Sequence, residues 1–244
     1  MIGKEIRYAE SLDSTNLSLS KLLRTESVEE GLVLRTDFQI KGRGYSKNHW
    51  ESAAGENLLF SFILKPHFLN ASEQFEIAKM VSLAIHEYLH SFAEGFKIKW
   101  PNDLFFGDKK IAGMLIEHSV HGDQLSHSIV GIGLNLNQEH FSEQAGRPVS
   151  LRTITQASYH PQTEMNKLID RLNAGYARLR SGDRRLMHEE YLQHLYRFDE
   201  WSTYQSGDLI FEGRIRGVNE FGQLLLERKN GSYWIVSFKE VEFL

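Results

Sequence analysis

The sequence predicts an α+β fold: a mixed, mainly antiparallel sheet packed with helices, followed by a small β-barrel. Three observations lead there. Short apolar runs of strand length alternate with polar turns in the first half. Several segments carry apolar residues at the three-to-four spacing of a helix, and after Trp201 the chain breaks into short β runs punctuated by glycine. The chain has 244 residues, of which 41% are hydrophobic, enough for one large core with a small appendage.

The elements follow in order. Asp13-Ser-Thr-Asn16 precedes a helical stretch over residues 17–23, and its side-chain oxygens can satisfy free amides at the helix start, worth about 1 kcal/mol. The same residues, gathered at a helix N-terminus, can also hold a polar ligand or anion. Residues 31–38 and 57–65 read as strands, the second too continuously apolar to face water on either side. Residues 39–56 between them form a polar loop with Lys41, Arg43 and Lys47, and no acid lies between Phe38 and Trp50.

Residues 71–93 place Phe75, Ala78, Val81, Ile85, Leu89 and Phe92 on one helical stripe, with Ser72 as a cap. Strand-like runs at 96–100, 110–118 and 126–137 alternate with turns at Pro101-Asn-Asp103, Gly107-Asp108 and Gly122-Asp123, an antiparallel meander. Helical spacing returns at 164–180 and 184–197. Short β runs at 208–211, 214–218, 223–227 and 232–238, parted at Gly213, Gly222 and Asn230-Gly231, suit the barrel. A boundary near Asp199 divides residues 1–198 from 199–244.

Charge and composition exclude several functions. Lys plus Arg number 28 against 32 Asp plus Glu, a net charge of -4, so no domain-wide attraction to nucleic acid or anionic lipid is expected. Cysteine is absent, which removes disulfides, thiolate metal sites and cysteine nucleophiles. The charged start and the lack of any spanning apolar run predict a cytoplasmic protein without a membrane partner. His86-Glu-Tyr-Leu-His90 matches the pattern of a zinc hydrolase, but no third ligand is evident, so no protein-held metal is assigned and the helix face carrying it is read as surface. No Gly-x-Ser-x-Gly elbow supports a serine hydrolase.

Four further segments can carry chemistry. In Gln39-Ile-Lys-Gly-Arg-Gly-Tyr-Ser-Lys-Asn-His-Trp50, glycines let backbone amides approach a ligand, cations neutralise phosphate and the indole covers a flat ring, although a solvated surface loop explains the composition equally well. Lys99-Trp-Pro-Asn-Asp103 sets a cation beside an aromatic before a tight turn. Lys110-Ile-Ala-Gly113 opens a buried strand with a cation, and Gly131-Ile-Gly-Leu-Asn135 clears space on another; in both, strand packing alone is an alternative.

Taken in order, Ser14-Thr-Asn16, Gln39 with Gly42-Arg-Gly44 and Trp50, Lys99-Trp-Pro-Asn-Asp103, Lys110-Ile-Ala-Gly113 and Gly131-Ile-Gly-Leu-Asn135 resemble the biotin protein ligase family. The resemblance implies a class II synthetase-like, biotin/lipoate ligase-like catalytic domain, an SH3-like C-terminal domain and a ligase-only form without the family's DNA-binding domain. It implies ATP, Mg²⁺ and biotin as reactants, biotinyl-5'-adenylate as the intermediate and a biotin carboxyl carrier domain as the partner, the enzyme acting as a monomer or homodimer.

Carried over residue by residue, the resemblance gives Ser14, Thr15, Asn16, Gln39, Gly42, Arg43, Gly44, Tyr45, Lys110 and Gly113 to biotin. It gives Lys47, Trp50, Lys99, Asn102, Asp103, Gly131, Gly133 and Asn135 to the nucleotide, with Lys110 and Arg43 as the catalytic pair. The family loop reads Gly-Arg-Gly-Arg-x-Gly-Arg-x-Trp, whereas this chain has Tyr45, Lys47 and Asn48 at its second Arg, third Gly and third Arg, so Lys47 is expected to supply the missing charge. Two rival readings are a lipoate protein ligase or lipoyl transferase, and a non-catalytic biotin- or nucleotide-binding module.

Overall fold

The computed structural model describes residues 1–44 and 49–244, so Tyr45 and Lys47 lie outside the described residues. Its first part runs β1 (Ile6–Leu12), α1 (Thr15–Thr25), β2 (Val33–Gln39), β3 (Leu58–Leu64), α2 (Phe75–His90), β4 (Phe96–Lys99), β5 (Asp103–Phe106), β6 (Lys109–His121) and β7 (Gln124–Leu134). These strands form one seven-stranded sheet in the order β1-β2-β3-β7-β6-β5-β4. β1 and β2 are parallel and the other neighbours antiparallel, which makes the sheet mixed.

The continuous apolar run of β3 is explained by cover on both sides. Phe60 and Phe62 join the main core with Met80 and Val81 of α2, while Ile63 points the other way, to Leu19 of α1. Three more helices follow, α3 (Leu151–Thr155), α4 (Pro161–Arg180) and α5 (Arg184–Gln193); Pro161 at the start of α4 costs no helical hydrogen bond there. β8 (Trp201–Ser206), β9 (Leu209–Val218), β10 (Leu224–Arg228), β11 (Tyr233–Val236) and β12 (Glu242–Phe243) pair antiparallel in the order β11-β10-β9-β8-β12. This second sheet is tied to the first where Trp100 donates its Nε1–H to the Gly222 carbonyl at 2.8 Å.

Several expectations change. The meander has four strands, because residues 103–106 pair as β5 and confine the turn to residues 100–102. β1 went unread because Ile6 and Tyr8 are exposed on an edge strand, leaving no apolar stripe. Gly213 sits inside β9 and does not end it. α2 is preceded by a short 3₁₀ turn, Ala71–Glu73, closed by reciprocal bonds between Asn70 and Glu73, so Ser72 is not the cap. The last helical stretch stops at Gln193, and the His194 carbonyl then accepts from Ile98 N–H at 2.8 Å.

The His86 face is interior, not surface. His86 is 6% exposed, stacks on His194 with centroids 4.0 Å apart and on His90 at 5.8 Å. Its Nε2 lies 3.1 Å from the Phe96 carbonyl, which can only accept, so that nitrogen carries the proton. Burial, with His194, His90 and Lys97 nearby, pushes the imidazole down to about 4. Between the ordinary value of 6.5 and 4 the unfolded chain binds a proton that the folded chain does not, so stability falls as pH drops through this window. Urea unfolding should show a loss of about 2 kcal/mol from this group between roughly pH 7 and 5, and His86→Gln should flatten the dependence by that amount.

Candidate active site

The start of α1, the end of β2, the middle of β6 and the end of β7 line one cavity. Ser14, Thr15 and Asn16 line it from the helix start, Gln39 from the end of β2, and Arg43, Gly44 and Trp50 from the loop beyond. Gly113, Leu115, Gly131 and Gly133 form its floor, and Asn102 and Asp103 face it beside Lys110. Gly42 stays outside at the base of the loop, where its carbonyl accepts from Trp50 N–H at 3.0 Å.

One end of the cavity is a hydrogen-bond network. Thr15 N–H donates to Gln39 Oε1 at 2.8 Å, and the Ser14 side chain does not cap α1 as the sequence suggested. Asn16 Nδ2 donates to the Leu115 carbonyl at 3.1 Å and to Glu117 Oε2 at 2.8 Å. Ser61 Oγ lies 2.6 Å from both Thr15 Oγ1 and Asn16 Oδ1. Arg43 closes this end with an ion pair to Glu117 at 3.0 Å. A Cβ on Gly131 would sit 2.2 Å from Asn16 Oδ1, so the amide can lie on the floor because that position is glycine.

The other end is cationic. Lys110 Nζ pairs with Asp103 Oδ1 at 2.7 Å, sits 5.4 Å from the centre of the Trp50 ring and folds back over Gly113. Four residues of strand, about 13 Å, separate Gly113 from Glu117. Arg43, expected to act with Lys110, is therefore held at the opposite end by the Glu117 carboxylate. The Trp50 indole lies against Gly133, where a Cβ would fall 2.4 Å from the ring, and its buried Nε1 has no partner among the described residues.

Two further clefts meet at Lys110. The first, shared with Trp50, contains Asn135, whose Nδ2 donates to the Val149 carbonyl at 3.1 Å while its buried Oδ1 has no partner among the described residues. The second gathers Lys99, Arg147 and Arg197 around Lys110. Lys99 thus lies outside the central cavity, its Nζ 4.6 Å from the Phe105 ring centre and 5.0 Å from that of Phe243, and burial pulls its pKa down. Asn102 faces the central cavity, but its Nδ2 is committed to the Met114 carbonyl at 2.6 Å, so it holds the turn.

The central cavity fits a ligand with a hydrogen-bonding head and an acidic tail. The Asn135 cleft offers an acceptor and an indole to a flat ring, and the cleft at Lys99 suits a polyanion. The hydroxyls of Thr15 and Ser61 are tied into the head-end network with Asn16 and Gln39. Sequence reasoning missed Ser61, Glu117, Arg147 and Arg197. Ser61 had a signal, a single hydroxyl in the apolar run Leu58–Leu64, and Glu117 another, an acid closing the run that starts at Lys110.

Comparison with known proteins agrees with this geometry. The model of the Biotin/lipoate A/B protein ligase family matches residues 8–135. The chain is 27% identical over 226 residues to the biotin--[acetyl-CoA-carboxylase] ligase of Paracoccus denitrificans, covering 90% of this chain and 92% of that protein. It is 27% identical to the bifunctional ligase/repressor BirA of Bacillus subtilis, covering 95% of this chain and 72% of the relative. Its fold is similar to that of the biotin protein ligase from Aquifex aeolicus solved with biotin and ATP, with a TM-score of 0.81, 27% identity and 99% of each chain covered.

Proposed function

The chain belongs to the biotin/lipoate A/B protein ligase family, and from that premise we propose that it is an ATP-dependent biotin protein ligase. It forms biotinyl-5'-adenylate and pyrophosphate from biotin and ATP, then transfers biotin to a lysine of a biotin carboxyl carrier domain. The observation that carries this reading is Lys110, which lines the head-and-tail cavity, the Asn135 cleft and the cationic cleft together. A carboxylate, an α-phosphate and a departing pyrophosphate all require a cation at one such junction.

Biotin's ring urea suits the hydrogen-bonding end, and its acid chain reaches toward Lys110. A biotin carboxylate oxygen attacks the α-phosphorus, and the bond to the bridging oxygen breaks to release pyrophosphate. Negative charge gathers there, where the Lys110 ammonium is already in place. Lys99, Arg147 and Arg197 would hold the departing phosphates, and the free Oδ1 of Asn135 would accept from the adenine amine. Asp103 would hold the Mg²⁺ that arrives with the nucleotide, whose positive charge screens the phosphates. In the second step the carrier lysine attacks the acyl carbon, and AMP leaves with the anhydride oxygen.

Lipoate carries a dithiolane head without hydrogen-bonding groups, which would leave the Gln39 amide and Ser14 hydroxyl desolvated and unpaired, so biotin is the better substrate. We further propose residues 1–198 as the catalytic domain and 199–244 as an SH3-like domain, supported by the separate pairing of β8 to β12. Lys47→Ala should release free biotinyl-adenylate faster than the parent, as measured by its appearance in filtrate, because it is the cation left where the loop lacks arginines. Incubation with ATP, Mg²⁺, biotin and a carrier domain, read by mass, tests the whole reading. One biotinyl addition to the carrier supports it, and an unmodified carrier beside active lipoylation overturns it.

A further inference from the structure

Trp100 directs its one polar atom across the junction between the two sheets. The residue is 4% exposed, and its Nε1–H, costly to bury unpaired, donates to the Gly222 carbonyl at 2.8 Å. Phe238 packs edge to face on the indole, with 5.9 Å between ring centres. The acceptor is built for this bond. Gly222 has a φ of 81°, and a Cβ there would fall 2.5 Å from the Phe75 ring, so glycine lets this carbonyl come up to the indole. Asn219 Oδ1 accepts from Phe221 N–H at 3.1 Å and from Gln223 N–H at 2.9 Å, and the Asn219 carbonyl accepts from Gly222 N–H at 3.0 Å, which fixes the turn between β9 and β10.

The chain after Trp100 leads directly to Lys110. β4 ends at Lys99 and β5 starts at Asp103, so residues 100–102 are the whole connection. Asn102 is held to β6 twice: its carbonyl accepts from Met114 N–H at 2.9 Å, and its Nδ2 donates to the Met114 carbonyl at 2.6 Å. Asp103, in register with Gly113, then presents Oδ1 to Lys110 Nζ at 2.7 Å. A three-residue turn held at Trp100 by one sheet and at Asn102 by the other has little freedom, and Asp103 takes its placement from it. Trp100 itself lines none of the three clefts that meet at Lys110.

We infer that Trp100 is a positioning residue for the first step: Gly222 and Phe238, from two turns of the second sheet, hold its indole, the indole holds the turn, and Asp103 at the end of the turn aims the Lys110 ammonium. The second sheet thereby sets the cation of the first. Such placement matters because a shift of about 1 Å in a group that meets the transition state costs on the order of 100-fold in rate. The inference rests on the reading of Lys110 as the cation at the α-phosphate and adds what keeps it there.

The test is biotin-dependent ATP–pyrophosphate exchange by the full chain, with biotin varied at saturating ATP, for Trp100→Phe in the parent and in Lys110→Ala. Phenylalanine keeps a ring against Phe238 but has no N–H for Gly222. In the parent, kcat should fall about tenfold while the KM for biotin stays within about twofold, because the head end of the cavity is untouched. In Lys110→Ala the same substitution should cost nothing further, since the group it positions is gone. A merely structural loss would lower exchange by the same factor in both backgrounds. Asn219→Ala, which loosens the turn that presents Gly222, should repeat the pattern with a loss of about threefold, and it takes the place of Trp100→Phe should that variant fail to fold. Parental kcat in these variants, losses that multiply in Lys110→Ala, or a raised KM for biotin in place of a lowered kcat would overturn the inference. A parent with no biotin-dependent exchange, or parental exchange by Lys110→Ala, would overturn the reading of Lys110 beneath it.

Discussion

Lys110→Ala is expected to lower kcat/KM for biotin-dependent ATP–pyrophosphate exchange by on the order of 3 kcal/mol, roughly 150-fold. The size follows from position. Lys110 is the cation common to the three clefts, and a charge preorganised beside a transferring phosphoryl group acts where negative charge develops. The fold should be little affected, since the pair with Asp103 is a third exposed on the lysine side and such pairs contribute at most about 1 kcal/mol. Activity and stability therefore separate: exchange collapses while the urea midpoint scarcely moves. Near-parental exchange by Lys110→Ala would refute the role.

The second large effect is expected at Gly131. A methyl group there would meet Asn16 Oδ1 at 2.2 Å, and Asn16 cannot swing aside because it is 2% exposed and bonded to Leu115, Glu117 and Ser61. Gly131→Ala should cost about 1–3 kcal/mol of stability through overpacking. It should also raise the KM for biotin by more than tenfold, because the displaced amide carries Ser61 and Thr15 with it. Gly217→Ala is the control, since a Cβ there meets nothing within 4 Å and should change neither quantity. Equal behaviour of the two variants would show that the floor does not need glycine at 131.

How much of this was legible in the sequence depended on how many residues carried each signal. The buried strand at residues 58–64 and the helix at 161–180 were announced by runs of apolar residues at a fixed period, and both stand in the structure. β1 could not be read, because an edge strand beside solvent has no reason to alternate strongly. The motifs that line the cavity were found because each is a local cluster, but their division of labour was not. Asn16, read as a cap or ligand contact, is bonded on every side to residues brought together from β3 and β6. Arg43 and Lys110 looked alike as cations, and the Glu117 carboxylate separates them. Ser61 was a single hydroxyl whose partners are 45 and 46 positions away, a relation that periodicity cannot express.

If a biotin carboxylate attacks the nucleotide α-phosphorus at Lys110 with no bond to the protein, one carboxylate oxygen must end on the phosphate. Biotin labelled with ¹⁸O in both carboxylate oxygens, turned over with ATP and a carrier domain, makes that transfer visible. The AMP released should carry one labelled oxygen, and the protein's own mass should never change. Unlabelled AMP, or a biotinyl or adenylyl adduct on the chain during turnover, would contradict it.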